Sequence, residues 1–205
     1  MRSTANMNYT EFVAKVLAIS RVGLKFSKDE YALENYQELQ ELAQAQLKDE
    51  HGFTPIDIPY QRDLYPTPSI SVRVIVFNEH GQLLMGQEKS DGGYAVPGGW
   101  CDLFESPTEA AIKEVLQETG LHVKIDRMLA LLRRDLYRIS PAIISEYVLY
   151  FQATVIGGTL NPNHEILQVG LFDVNALPPT SRKMTLVELN KALDVALHHD
   201  QPVVD

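Results

Sequence analysis

Gly98-Gly99-Trp100-Cys101-Asp102-Leu103-Phe104-Glu105-Ser106-Pro107-Thr108-Glu109-Ala110-Ala111-Ile112-Lys113-Glu114-Val115-Leu116-Gln117-Glu118-Thr119-Gly120-Leu121 carries its own helix boundaries. Ser106 can accept the first free backbone N–H groups, Pro107 falls at the first helical position, where a missing N–H is harmless, and Glu109 can close a capping box. Gly120 can end the helix in a left-handed conformation. The spacing therefore predicts a helix between Ser106 and Gly120. On it Ala110, Ala111, Val115 and Leu116 can face a sheet, whereas Glu114 and Glu118 stand one turn apart on a common face. Like charges at that spacing cost an exposed helix roughly 0.2–0.5 kcal/mol. Two readings fit the pair: a solvated acidic face, or hard oxygen ligands for Mg²⁺, whose charge turns repulsion into attraction.

Working outward, Tyr94 to Val96 is a short strand running into Pro97-Gly98-Gly99, and Lys89 to Gly93 a loop. Ser69 to Phe77 is a β-branched run, Glu79-His80-Gly81 a turn, and Gln82 to Glu88 the expected partner strand of a hairpin. Four prolines between Pro55 and Pro68 suit an extended linker and mark a domain boundary. Before it, Phe12, Val13, Val16, Ile19 and Val22 recur at helical spacing, with Gly23 where the pattern ends. A Ser27–Glu30 capping box then opens a second helix with Tyr31, Tyr36, Leu39, Leu42 and Ala43 as its apolar stripe, ending before Gly52. Two helices cannot bury a core alone. This hairpin is either a dimerisation or substrate-lid element or a packing appendage.

Downstream, Val123 to Leu132 and Glu146 to Ile156 have strand composition, Gly157-Gly158 is a turn, and Leu167 to Phe172 is a weaker strand. Leu186, Leu189, Ala192, Leu193 and Ala196 sit at helical spacing. Two helices, three strands, a helix, three strands and a helix exclude a simple alternating parallel sheet and favour an α+β sandwich. The expected organisation is a helical hairpin over 1–54, a linker over 55–68 and the main domain over 69–205.

Composition narrows the function classes. The chain has 205 residues, with 18 Lys and Arg against 27 Asp and Glu, a formal charge of -9 that argues against broad nucleic-acid binding. A single cysteine, Cys101, excludes an intrachain disulfide and zinc patterns that need two thiolates. Cys101 reads as a spacer, since no histidine partner is apparent. No stretch has the apolar length of a signal-peptide core or a membrane span, so a soluble, cytoplasmic protein is expected. Neither a His-Glu-any-any-His arrangement nor a Walker phosphate loop is present in the sequence.

Glycine, five residues, Glu105, seven residues, then Lys113-Glu114-Val115-Leu116-Gln117-Glu118-Thr119-Gly120-Leu121 resembles the Nudix hydrolase box, in which these last positions read Arg-Glu-apolar-any-Glu-Glu-any-Gly-apolar. Lys113 replaces the family arginine and Gln117 the first glutamate of the pair. The resemblance implies a Nudix-type α/β/α sandwich with a mixed sheet and a Mg²⁺ (or Mn²⁺) cofactor. It implies a pyrophosphohydrolase that cleaves a nucleoside diphosphate linked to another moiety into two monophosphates. It also implies that the Gly98 carbonyl joins Glu114 and Glu118 as metal ligands. Glu105 would pair with Lys113 and orient the helix glutamates, more loosely than with a planar guanidinium. Gln117 could offer the metal one neutral oxygen at the loss of a negative charge, and Gln117→Glu is expected to tighten Mg²⁺ binding.

Beyond the box, Ser71-Val72-Arg73-Val74-Ile75-Val76 and the lead-in from Lys89 to Trp100 are similar to a bacterial subgroup with an N-terminal helical domain. That subgroup includes CDP-choline pyrophosphatases and ADP-ribose pyrophosphatases. It implies a homodimer, with CDP-choline as first substrate and ADP-ribose or another nucleotide sugar as second. For the general base, Glu118 and Glu165 are the candidates. Arg73 either points into the site or bridges across the sheet, Arg133 and Arg134 meet phosphate or solvent, and Trp100 stacks on a base or packs. Two other classes compete: a nucleotide-binding sensor without turnover, and a hydrolase of RNA ends, which would need a basic channel.

Overall fold

The computed structural model describes residues 8–51, 67–102, 105–138 and 145–205. The linker expected over 55–68 lies outside these residues except for its last two positions. The elements are α1 (Tyr9–Phe26), α2 (Glu30–His51), β1 (Ser69–Val76), β2 (Leu83–Glu88), β3 (Tyr94–Ala95), α3 (Pro107–Thr119), β4 (Leu121–Arg133), β5 (Glu146–Gly158), β6 (Ile166–Phe172), α4 (Leu186–His198) and β7 (Val203–Val204). They fall into two compact units, the helical hairpin in one and Ser69–Tyr137 with Glu146–Asp205 in the other.

In the hairpin, Asn8 caps α1 by accepting the Glu11 N–H at 2.8 Å. Val13 and Leu17 of α1 form a small buried cluster with Ala43 and Leu47 of α2. Three details depart from the sequence reading. Gly23 does not end α1, which continues to Phe26; a β-carbon at Gly23 would lie 2.4 Å from the Tyr36 ring, so the glycine serves the close approach of the second helix. The cap of α2 is Asp29, whose Oδ1 accepts the Ala32 N–H at 2.8 Å, while Ser27 accepts from the Asp29 N–H at 3.2 Å. Tyr31, Leu39 and Leu42 of the expected stripe are exposed, because the seam against α1 runs through Ala43 and Leu47.

The larger unit is an α/β/α sandwich around one mixed and one antiparallel sheet. One sheet has the order β1-β5-β4-β7, with β1 parallel to β5 and β4 antiparallel to it; the other has the order β3-β2-β6 and is antiparallel. Alternation along β1 separates two cores. Val72, Val74 and Val76 pack with Ala110, Ala111 and Val115 of α3, and Ile75 packs with Leu189, Ala192 and Leu193 of α4. Leu116, expected to face the sheet, is exposed instead.

The expected hairpin between Ser69–Phe77 and Gln82–Glu88 does not form. Its turn is present, with Asn78 Oδ1 accepting from the Gln82 N–H at 2.8 Å, but only a Phe77–Leu83 bridge joins the two runs. The edges of β1 are taken by other segments: β5 on one side and Pro97–Gly99 on the other, through Val74 N–H to the Pro97 carbonyl at 2.8 Å and Val72 N–H to the Gly99 carbonyl at 2.9 Å. β2 pairs instead with β3 and β6. This exchange carries Gly98 to the C-terminal part of α3, where its N–H meets Glu118. The chain adds the short β7, which pairs with β4 and was not legible in the sequence.

Candidate active site

Because the Pro97 and Gly99 carbonyls face β1, the peptide groups of Gly98 between them turn the other way. Its N–H donates to Glu118 Oε2 at 3.1 Å, and its carbonyl accepts from Nη1 of Arg73. Gly98 has φ +152°, and a β-carbon there would lie 2.1 Å from the Val72 carbonyl oxygen. At Gly99 a β-carbon would lie 2.6 Å from Glu114 Oε1. Gly98 is required because backbone occupies the space a side chain would need, whereas at Gly99 the occupant is the movable end of the Glu114 side chain.

The helix is built as its sequence prescribes. Ser106 and Glu109 form the capping box, Pro107 opens α3, and Gly120 closes it at φ +78°, donating its N–H to the Leu116 carbonyl at 2.8 Å. Glu118 is buried, at 4% exposed, and Glu114 half-buried. Loss of water pushes the Glu118 carboxyl up to about 7, against the pull of Arg73 and the Gly98 N–H, with Glu88 adding to the rise. Burial also raises Glu114, opposed by Lys113 and Arg73 and reinforced by Glu165. Gln117, on the same helix, is exposed.

Lys113 is 2.8 Å from Glu105 Oε2 and 2.7 Å from Asp102 Oδ2. The hydrogen bonds it donates to Asp102 and Glu105 hold its ammonium well above the usual lysine range. Glu105 also accepts the Asp102 N–H at 3.1 Å. The sequence reading missed Asp102; nothing in its spacing distinguishes it from a spacer.

Arg73 is buried and spends its guanidinium on two carbonyls, that of Gly98 and that of Lys183 at 3.1 Å. Arg134 is buried too and does not meet solvent: it bonds Glu146 at 2.8 Å and lies 3.5 Å from Glu188. Arg133 bonds Asp135 Oδ1 at 3.0 Å through Nε, tying down the end of β4. Trp100 is 50% exposed, linked through its backbone to Ser71. The Glu165 side chain is 54% exposed, and its charge reaches Glu114. Cys101 packs against the α3 core, its thiol pushed up by burial and by Glu105, which makes it a poor nucleophile. Glu88 and Lys183, paired at 2.7 Å, are further charged groups near the acidic pair that the sequence reading missed.

Among the described residues no three His, Cys, Asp or Glu side chains gather closely enough to hold a metal ion by themselves. The donors present are two carboxylates and a backbone carbonyl. That set fits a hard cation which keeps waters and shares its remaining positions with substrate phosphates, and does not fit a cation caged by side chains alone.

A model of the NUDIX domain family matches residues 67–191. The Bacillus subtilis (strain 168) protein "Putative ADP-ribose pyrophosphatase YjhB" is 32% identical over 203 residues, covering 96% of each chain. An ADP-ribose pyrophosphatase of Methanocaldococcus jannaschii is 30% identical over 56% of this chain and 68% of its own. Among solved structures, an ADP-ribose pyrophosphatase from Streptococcus suis 89-1591 superposes with a TM-score of 0.60 at 30% identity, over 68% of this chain and 100% of that one. A UDP-X diphosphatase shares the fold over 96% of this chain and 98% of its own, with a TM-score of 0.64 at 24% identity. With a family match over most of its length and a relative aligned almost end to end, the chain belongs to the NUDIX domain family and is a Nudix hydrolase.

Proposed function

We propose that this protein is a Mg²⁺- or Mn²⁺-dependent pyrophosphohydrolase that cleaves a nucleoside diphosphate conjugate, ADP-ribose or a nucleotide sugar ahead of CDP-choline, into two monophosphates. The observation that carries the reading is the buried Glu118 carboxylate, one helical turn from Glu114 and held by the Gly98 N–H. The names of the relatives move ADP-ribose ahead of CDP-choline.

Glu114, Glu118 and the Gly98 carbonyl would hold the cation. When bound, a divalent ion neutralises phosphate oxygens and activates water. The chain's own residues do the rest. Lys113 ties Asp102 and Glu105 to the helix, and Arg73 donates a hydrogen bond to the Gly98 carbonyl. Glu165, exposed and within electrostatic reach of Glu114, takes the proton of the attacking water as its oxygen bonds to phosphorus and the bridging P–O bond breaks. The exposed indole of Trp100 offers a base a stacking face. Arg133, committed to Asp135, and exposed Gln117 contribute at most through their charge or dipole. The assembly is a homodimer.

A substrate panel in ¹⁸O-labelled water tests this. ADP-ribose with Mg²⁺ should give AMP and ribose 5-phosphate, one of them labelled, and Glu114→Gln or Glu118→Gln should each lower kcat on the order of 10²-fold or more. Tight nucleotide binding without turnover over hours would mark a sensor instead.

A further inference from the structure

The loop between β6 and α4, whose Ser181 and Met184 are buried, is tied to the sheets by a network of polar contacts around Lys183. The Lys183 carbonyl accepts from both Arg73, at 3.1 Å, and Arg134. Arg134 is in turn held by Glu146, which also accepts from Ser71 Oγ at 2.6 Å. The Lys183 N–H donates to Ser181 Oγ at 3.1 Å, and Ser181 Oγ donates to Asp91 Oδ2 at 3.1 Å. Strand-like bonds between Tyr94 and residues Pro179 and Ser181, each 2.9 Å, join the same loop to β3. Buried ionic groups are costly to assemble and are weak evidence for added stability by themselves.

The loop so tied carries the Lys183 ammonium, 2.7 Å from Glu88 Oε2. The Glu88 side chain is 3% exposed and that of Lys183 35% exposed. The charge of Lys183 reaches both Glu114 and Glu118. Arg73, the other cation felt by both, has carbonyl partners on both of its η nitrogens. An ammonium has three donors, and Glu88 engages one. We propose that Lys183 binds a non-bridging oxygen of the substrate diphosphate as a point charge, and that Glu88 is the residue that positions it. The inference rests on the reading of the site as a diphosphate hydrolase.

Calorimetry with the non-hydrolysable α,β-methylene analogue of ADP-ribose, alongside turnover of ADP-ribose, tests it. Lys183→Met should weaken analogue binding tenfold or more and raise KM similarly, with kcat changed less than threefold and affinity for Mn²⁺ alone within twofold of wild type. Lys183→Arg should restore most of the binding. Because Lys183→Met leaves a buried Glu88 unpaired, the double variant Glu88→Gln/Lys183→Met guards against misfolding and should show the same loss. Wild-type turnover combined with unchanged analogue binding by both Met variants would overturn the Lys183 assignment alone, as would a parallel loss of Mn²⁺ affinity. Absence of both turnover and analogue binding in the wild type would bring down the assignment and the reading of the site together.

Discussion

A carboxylate withdrawn from water resists ionisation, and Glu118 is the site group for which this has measurable consequences. Without a cation, the folded protein holds its proton up to about pH 7, whereas an ordinary glutamate releases it near 4.5. The raised value means that Glu118 stabilises the fold fully below about pH 4.5, and that this contribution is lost as the pH rises through about 7. In EDTA, Glu118→Gln should therefore gain thermal stability relative to wild type between these limits, and added Mg²⁺ should reverse the order above pH 7. A stability difference that does not vary with pH would show that Glu118 ionises normally. Gln117 is exposed, so a glutamate there acts on the cation through its charge: Gln117→Glu should tighten Mg²⁺ binding a few-fold at low salt and progressively less as salt screens it. A titration identical to wild type at low salt would remove position 117 from the site.

At the scale of the elements, α3 and the segment before it separate stability from function. Ser106→Ala removes one cap and should cost about 1 kcal/mol, read as a fall of about 2–4 °C in Tm. The two glycines ahead of the helix should behave differently. At Gly98 the obstructing atom is the Val72 backbone carbonyl, so Gly98→Ala must displace β1 and lower Tm. At Gly99 the obstruction is the end of the Glu114 side chain, which can swing away; Gly99→Ala should keep most of the stability and lose most of the activity. Equal losses of Tm in the two variants would contradict this division. The caps of α3 were legible because they are local bonds between residues three apart. The failed hairpin between β1 and β2 was not, because a turn specifies only that the chain reverses, while partner choice depends on segments as distant as β5.

For the whole molecule, a formal charge of -9 sets the long-range field. A polyanion approaches against that field, so 5′-diphosphorylated RNA should be hydrolysed at least 10²-fold less efficiently than a small conjugate, by kcat/KM at low salt. Comparable values would restore the RNA-end reading. The proposed homodimer predicts a sedimentation mass twice the 23.1 kDa of one chain, and a single species of one-chain mass would exclude it. Among the described residues no helix is long and apolar enough to cross a membrane.

The sequence alone determined the helix from Pro107 to Thr119, the acidic pair on it and the family that its spacing matches, because caps, periodicity and motif spacing are properties of neighbouring residues. It also contained both hairpin helices, though not the reason for Gly23, which depends on Tyr36 of the second helix. Only the tertiary structure decided which charges meet. Glu88 and Lys183 lie nearly a hundred positions apart, and Arg73, Gly98 and Lys183 come together through strand pairings between remote segments. Electrostatic partnership follows distance in space, and a single chain records only distance along itself.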